Sequence, residues 1–571
     1  MTMLDVTHDV VSPLGRLTAE TLDENAGLEN LNGRKVALVW DLLFSGDKMM
    51  EEIQAYLTSR YPGVEFIGHE NFENIHGADE RRVVKELPDR LRELGADAAI
   101  IGVGACGSCT PAVLRACVVS ERVGIPAVGL ISEGFGRQAV AVARAQGLAQ
   151  PRVAHYPGVP TSDDEQTLRA KSREVISPLV EAQLIGAGII SDQHDAALPE
   201  EFAAGSPVFS GSLAEVQEHF HDKGWTDGLP VIPPTRELCE QMLEHTPLPA
   251  DHVVGVLLPE GREVTVWSVA VNGVMAGCRP EYMPLLIAAV AAVADPFFRL
   301  EDAGATPGWE PQVIVSGPKV RELGLNDGQG ALKMGNRANS TIGRFMKLCF
   351  INLAGLRIPP AGATDKGCIG AGFNVALAEN DEATHAIGWK TMREEMGYGV
   401  DETVVAVQSM MGSTLPIYSG GHTPENHLQL IGEHIAGTTG HWSYLGVMFH
   451  EWWPLLVMSP AIAEVLAANG LSKDDVRREL AERSKVSARL WEEYPWQVGT
   501  DGFKLDEMVA DGTAPAAYGE STDRDRMVPT LSYPDQVGIV LAGDPQRNQS
   551  RFLVNNHEHG PRVAVAAQFL D

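Results

Sequence analysis

Apolar and polar positions along the first third of the chain fall into blocks that switch between strand and helix spacing. Residues 35–40 (KVALVW) form a short apolar run that predicts a strand ending at Asp41. Met49, Met50, Ile53, Tyr56 and Leu57 then mark one helical face, and residues 64–67 predict a second strand running out at His69 and Glu70. Val83, Val84, Leu87, Leu91 and Leu94 mark the next helix, with a kink expected at Pro88 and a stop at Gly95. Residues 98–103 are apolar apart from Gly102, as in a strand buried on both faces. Thr110-Pro111 predicts a hydroxyl cap and a proline at the first helical position, ahead of Val113, Leu114, Cys117 and Val118 at helical spacing. A fourth strand over 125–131, a helix over 137–145, a fifth strand over 152–156 and a long helix from 163 to about 184 complete the series.

Five strands alternating with helices over about 150 residues imply an α/β fold built on a doubly wound parallel sheet. Residues 1–31 carry no clear period and read as an arm, and residues 32–185 as the α/β domain. Residues 186–224 read as a linker, rich in Gly, Ala, Pro and Ser in its first half. Residues 225–571 are expected to form a larger α/β (α+β) region with room for two subdomains. There the prolines of 225–235 favour an extended segment, 264–271 is strand-like, and 283–294 is a very apolar helix. Strands recur at 313–315, 404–407, 455–457 and 537–541, a helix starts near Ser472, and 500–533 looks loop-rich.

Ligands of doubly wound sheets bind beyond the carboxyl ends of the strands. Those ends collect Asp41 with Ser45, His69 with Glu70, Cys106 with Cys109, Ser132 with Glu133, and His155. The centre of this rim is Gly104-Ala105-Cys106-Gly107-Ser108-Cys109, two thiols on a glycine-loosened turn between a strand and a helix. A helix N-terminus lowers a thiol's pKa, the thiolate is the nucleophile, and a second thiol can release an adduct as a disulfide. The same pair could instead pack inertly or form half of a zinc site, but no second CxxC accompanies it. The sheet edge is expected to hold these sulfurs against a cavity.

Composition narrows the function classes. The net charge is −31, from 45 basic and 76 acidic side chains, which disfavours nucleic acid and anionic lipid as partners. The start, MTMLDVTHDV, lacks the basic and apolar parts of a signal peptide, and residues 285–294 are too short a run to span a membrane. Apart from Cys106 and Cys109 the seven cysteines are scattered and make no disulfide framework, so a reducing cytoplasm is the expected location. No GxGxxG follows the first strand, where residues 40–44 read WDLLF, no GxxxxGK[ST] occurs, and no nucleotide cofactor is expected in the α/β domain.

Three further constellations carry candidate chemistry. Glycine-rich residues 324–330 and 335–344 enter a helix that Asn339, Ser340 or Thr341 could cap, and Arg337, Asn339 and Arg344 suit a carboxylate or phosphate, or a tight surface connection. His422, His427, His434, His441 and His450 cluster in sequence, but without HExxH or an established ligand spacing, and no metal is expected. Cys278, beside Arg279 and Glu281, is either a third reactive thiol at the substrate site or a packed core cysteine.

The turn Gly104 to Cys109 after an apolar strand resembles the UGSC family, named for a selenocysteine-Gly-Ser-Cys motif in which many bacterial members carry cysteine first. The likeness extends to 225–235, 271–280 and 324–344. Family members are described as thiol- or selenol-based oxidoreductases, and the N-terminal part is distantly similar to the selenoprotein B subunits of glycine, betaine and proline reductases. The resemblance implies that Cys106 attacks and Cys109 resolves. A thiol is a weaker nucleophile and poorer leaving group than a selenol, which favours a milder step than a demanding reductive cleavage.

The expected function is therefore a cysteine-dependent oxidoreductase of a small organic molecule. Cys106 is the nucleophile and Cys109 the resolving thiol, with Glu133, His155 or Asp41 as acid or base. Ser45, Ser132, Arg337, Asn339, Arg344 and Cys278 are candidate substrate contacts. No bound cofactor is expected, only an external dithiol such as a thiol reductant protein, and the chain is expected to form a homo-oligomer. Two alternatives stay open: a non-redox lyase, hydratase or isomerase with cysteine acid–base groups, as in aspartate and glutamate racemases, and a redox sensor or assembly protein.

Overall fold

Each of the five apolar runs of the first third becomes a strand in the computed structural model of the protein, which describes residues 6–18, 22, 25–186, 202, 205–359, 361–362, 364–370, 372, 375–493, 504–556 and 564–567. These are β1 (Lys35–Trp40), β2 (Glu65–Ile67), β3 (Ala98–Gly104), β4 (Ala127–Ser132) and β5 (Arg152–Tyr156). They pair in the order β2-β1-β3-β4-β5, every pair parallel. Helices α1 (Gly46–Arg60), α2 (Glu80–Leu94), α3 (Cys109–Glu121) and α4 (Gly136–Ala145) connect them.

Strand periodicity sends alternate residues to two separate cores. Val36 and Leu38 of β1 pack with Met49, Ile53 and Leu57 of α1, whereas Ala37 and Val39 pack with Val83, Leu87 and Leu91 of α2 and with α3 and α4. The sheet is thus covered on both faces, which explains why β3 and β4 read as unbroken apolar runs. The strand order reverses between β1 and β3, and in open α/β sheets this reversal is where a crevice forms.

Several local expectations shift. Pro88 lies inside a continuous α2, and Gly95 caps it at φ 71°. Helix α3 starts at Cys109 with Ser108 at the cap position, so Thr110 and Pro111 lie inside the first turn. The long helix of 163–184 is interrupted: Glu165–Lys171 and Ser177–Ile185 flank a wider turn at Ser172–Ile176. Pro178 has no N–H to give Glu174, so the helical ladder cannot continue unchanged there.

The arm and linker are largely built into the C-terminal part. His8–Val11 pairs antiparallel with Pro207–Gly211, and Arg16–Leu17 pairs with Arg262–Thr265. The linker's second half forms a helix, Leu213–Asp222, closed by a Ser212/Glu215 capping box, while residues 187–201, 203 and 204 lie outside the described residues. The strand-like run 264–271 is in fact mostly the helix Val266–Ala276, started by Thr265 and Ser268 and ended by Gly277 at φ 82°. It is buried along its whole length, so no polar face betrays its period.

The remaining predicted strands join one mixed sheet. With β6 (Glu310–Ser316), β7 (Leu377–Ala378), β8 (Val404–Ser413), β9 (Leu455–Met458), β10 (Gly538–Leu541) and β11 (Gln549–Asn555), its main path runs β7-β6-β8-β11-β9-β10. The helix near 472 runs Lys473–Arg483 behind a Ser472 cap. Residues 500–503 lie outside the described residues, and the rest of 504–533 holds a helix, Leu505–Ala510, and a strand, Met527–Pro529, rather than loop alone. Among the described residues no single helix is long and apolar enough to cross a membrane; Pro280–Ala294 and Pro296–Asp302 would reach that length only together, across a 67° bend.

Candidate functional site

Strand β3 ends at Gly104, and α3 begins five residues later, with the two cysteines on either side of the turn. Cys106 and Cys109 are joined as a disulfide with Cα atoms 5.2 Å apart. Cys109 is the first helical residue, so its N–H is one of the amides no helical carbonyl can satisfy. It donates to Cys106 Sγ at 3.0 Å, and Ser108 Oγ lies 3.5 Å from the same sulfur. Of the two sulfurs Cys106 is therefore the one whose negative charge the helix start stabilises.

A histidine that no hydrophobic period marks, His76, completes the arrangement. His76, in the loop between β2 and α2, has a ring nitrogen within 4.8 Å of both sulfurs. Its Nδ1 is 2.9 Å from Glu80 Oε2, four residues on at the start of α2. Burial lowers the basicity of His76, but the bond and charge of Glu80 outweigh it and the net shift is upward. Burial likewise pushes Glu80 up, and Arg115, His76 and Arg299 more than reverse this, leaving it below the ordinary carboxylate range. Both directions describe a buried imidazolium–carboxylate pair next to the sulfurs.

The C-terminal part supplies the rest of this polar chain. Arg299 Nη2 donates to Glu80 at 2.9 Å and its Nε to Asp302 at 3.0 Å. Arg115 of α3 bridges Glu80 and Asp302, the latter at 3.1 Å. Phe449 meets the His76 ring edge-on at 5.9 Å and lies under the Arg299 guanidinium at 5.2 Å. Met448 packs against the cluster that contains both cysteines. Gly107 has to be glycine here: a Cβ would press on the Gly304 carbonyl and sit 2.7 Å from Ala305 Cα. Gln138 ties the same turn down by donating to the Gly107 carbonyl at 2.8 Å.

The expected open cavity is replaced by this cover. Cys106 and Cys109 are only 3% and 1% exposed. A cleft of about 470 Å³ is lined by Glu80, Arg81, Lys85, Arg115, Leu258 and Glu301 and by neither sulfur.

The other rim residues are placed differently from one another. Asp41, at the reversal point of the sheet, is fully buried; its Oδ1 accepts from Val103 N–H at 2.8 Å, and its Oδ2 has no hydrogen-bond partner among the described residues. Burial pushes its carboxyl up to about 7, with the Val103 amide and the His76 charge pulling the other way. Glu133 is exposed, in a short turn after β4. His155 is half-buried on β5, two strands from β3 or about 10 Å across the sheet. Ser132 Oγ donates to the Gly158 carbonyl at 2.7 Å, and Ser45 precedes α1 in a left-handed conformation without capping it. Among the described residues, His76 is the histidine whose ring nitrogen lies within 4.8 Å of both sulfurs.

The glycine-rich loop and the histidine run are tied up structurally. The helix Arg337–Asn352 is capped by Asn336, not by Asn339, Ser340 or Thr341. Asn339 is buried and spends its amide on Asn326 and Ala376. Arg344 is bidentate to Asp227 at 2.9 Å and 2.9 Å and also donates to the Pro230 carbonyl, whereas Arg337 is exposed. Cys278 is buried against Thr341, and burial pushes its thiol up to about 12. His427 uses both ring nitrogens, on Ser419 and Gly421; His422 and His450 are exposed, and the side chain of His441 lies outside the described residues.

Residues 9–185 match the model of the UGSC family. Over that segment, less than a third of its length, the chain is similar to the UGSC family. The match includes the whole parallel sheet, the Cys106-Gly107-Ser108-Cys109 turn, His76, Glu80 and Arg115, and it ends before the C-terminal segments 225–235, 271–280 and 324–344. Searches of curated proteins and of solved structures gave no match.

Proposed function

We propose that this chain is a thiol-dependent oxidoreductase that reduces a small organic molecule with the Cys106–Cys109 pair. The observation that carries the reading is the helix-start N–H on Cys106 Sγ at 3.0 Å, with Cys109 already at bonding distance. The UGSC match over the same turn supports it.

Cys106 thiolate attacks the substrate's electrophilic atom and forms a covalent adduct. Cys109 then attacks Cys106 Sγ; the new S–S bond forms as the bond to substrate breaks, and the electron pair leaves with the substrate. His76, an imidazolium held by Glu80 while Cys106 is a thiolate, gives its proton to the substrate as the adduct forms; the neutral ring then takes the Cys109 proton and passes it to the departing group. The substrate gains two electrons and two protons, and an external dithiol, such as a reductant protein, restores the pair. Because both sulfurs are buried, substrate entry requires a local opening of the packing around the turn, to which Met448 contributes.

The test follows free thiols and intact mass as candidate substrates are added without reductant. The reading expects two thiols lost per chain, no turnover in Cys106→Ser, and a trapped adduct in Cys109→Ser. Sustained turnover with no loss of thiols would instead favour the lyase, hydratase or isomerase reading, which the His76–Glu80 pair could also serve as a proton acceptor. Reversible disulfide formation that changes oligomeric state without any turnover would favour the sensor.

A further inference from the structure

The geometry points to a second property of the same turn: with the pair reduced, Cys106, Cys109 and His76 form a binding site for one thiophilic divalent cation such as Zn²⁺. It does not depend on the redox reading, since a metal needs these side chains only as thiolates and imidazole.

The donor set comes first. Two sulfurs and one imidazole nitrogen lie within 4.8 Å of one another, and all three residues are buried. Two thiolates with one histidine is a soft set that selects zinc over magnesium or calcium, and three protein ligands leave one tetrahedral position open. Metal–sulfur bonds of about 2.3 Å put the sulfurs about 3.7 Å apart. Once the S–S bond is broken, rotation of the side chains can supply that separation, because the Cα atoms are already 5.2 Å apart.

The second argument is the support behind the histidine. A metal-binding imidazole characteristically gives its other N–H to a carboxylate, which fixes its orientation. His76 has that partner in Glu80 at 2.9 Å, itself locked by Arg115 and Arg299. His76, Glu80 and Asp302 also come within 4.8 Å of one another. That grouping is the poorer metal site, because two guanidinium groups already neutralise its carboxylates and would repel a cation.

Binding would move no electrons: two thiols and the imidazolium release protons, and two metal–sulfur bonds and one metal–nitrogen bond form. Oxidation to the disulfide removes two ligands and expels the ion, so metal and oxidant compete for one pair.

The test titrates the full-length protein, metal-stripped and kept reduced by a phosphine, with Co²⁺ in the absence of substrate. Expected are one ion per chain, thiolate-to-cobalt charge-transfer absorption with tetrahedral ligand-field bands, and displacement by Zn²⁺. Glu80→Gln should weaken binding about 10- to 100-fold, and His76→Ala should change the ligand-field bands. In the unaltered protein, Zn²⁺ should protect Cys106 and Cys109, but not exposed Cys368, from alkylation read by peptide mass. Absence of the charge-transfer band in the unaltered protein would overturn the inference. So would bands that survive in Cys106→Ser/Cys109→Ser, or bands unchanged by His76→Ala. The turnover assay uses metal-free protein and this titration uses no substrate, so either proposal can fail alone.

Discussion

Cys106 and Cys278 are both buried thiols, yet their surroundings give them opposite chemistry. Cys278 donates to the Thr341 carbonyl, and burial outweighs this bond and the Arg337 and Arg344 charges to push its thiol up to about 12. Cys106 receives the unsatisfied amide of a helix start and sits within reach of a histidine raised by its carboxylate partner. Burial is common to both. Positive charge is near both, since Arg337 and Arg344 also act on Cys278; what differs is the backbone N–H aimed at Cys106 Sγ, a donor to the sulfur that favours its negative charge.

The comparison can be broken most directly by modification rates. A thiol near pKa 12 is ionised about one part in 10⁵ at pH 7, so a small disulfide reagent should modify reduced Cys106 about 10⁴-fold faster than Cys278. Comparable rates, read residue by residue by mass spectrometry, would remove the distinction.

Asp41 sharpens it through stability. Its carboxyl titrates near 7 in the folded protein against the usual 3.8, so between those values the folded state keeps a proton the unfolded chain has lost. The resulting stability is fully present below about pH 4 and is lost as pH rises through 7, at ~1.4 kcal/mol per unit. Asp41→Asn keeps an oxygen for the Val103 amide and has no such proton. Denaturation of both proteins across this window should therefore give diverging curves, by up to about 4 kcal/mol; parallel curves would show that Asp41 ionises normally.

A smaller effect is expected from the histidine. His76→Ala should raise the apparent pKa of Cys106 and slow its alkylation at pH 7 by about tenfold, while leaving Cys278 unchanged. The pH–rate profile of alkylation separates this loss of charge from a general loosening, which would speed both cysteines. Smallest is the cover: Met448→Ala should speed Cys106 alkylation about threefold by easing local opening, with no shift in its pKa.

Most of the parallel-sheet domain was legible along the chain, because strands buried on both faces leave unbroken apolar runs and the helices between them show one apolar face. The helix Val266–Ala276 was illegible for the complementary reason: an element buried all round has no polar side to reveal its period. The built-in arm and linker escaped because β-pairing between residues 8–11 and 207–211 leaves no local mark.

At the site, sequence alone determined that two thiols would share a strand-to-helix turn, since apolar run, glycines and helical spacing are all local. His76 carried one local hint, a glutamate four residues on, inside an otherwise polar loop. Only the tertiary structure decided the rest. Arg299 and Asp302 are brought to Glu80 and Arg115, Phe449 to His76, and Met448 to the cluster around the cysteines by packing of the C-terminal part, from 187 to more than 340 positions away. Charge pairing and cover are properties of distances in space, and chain spacing does not encode them.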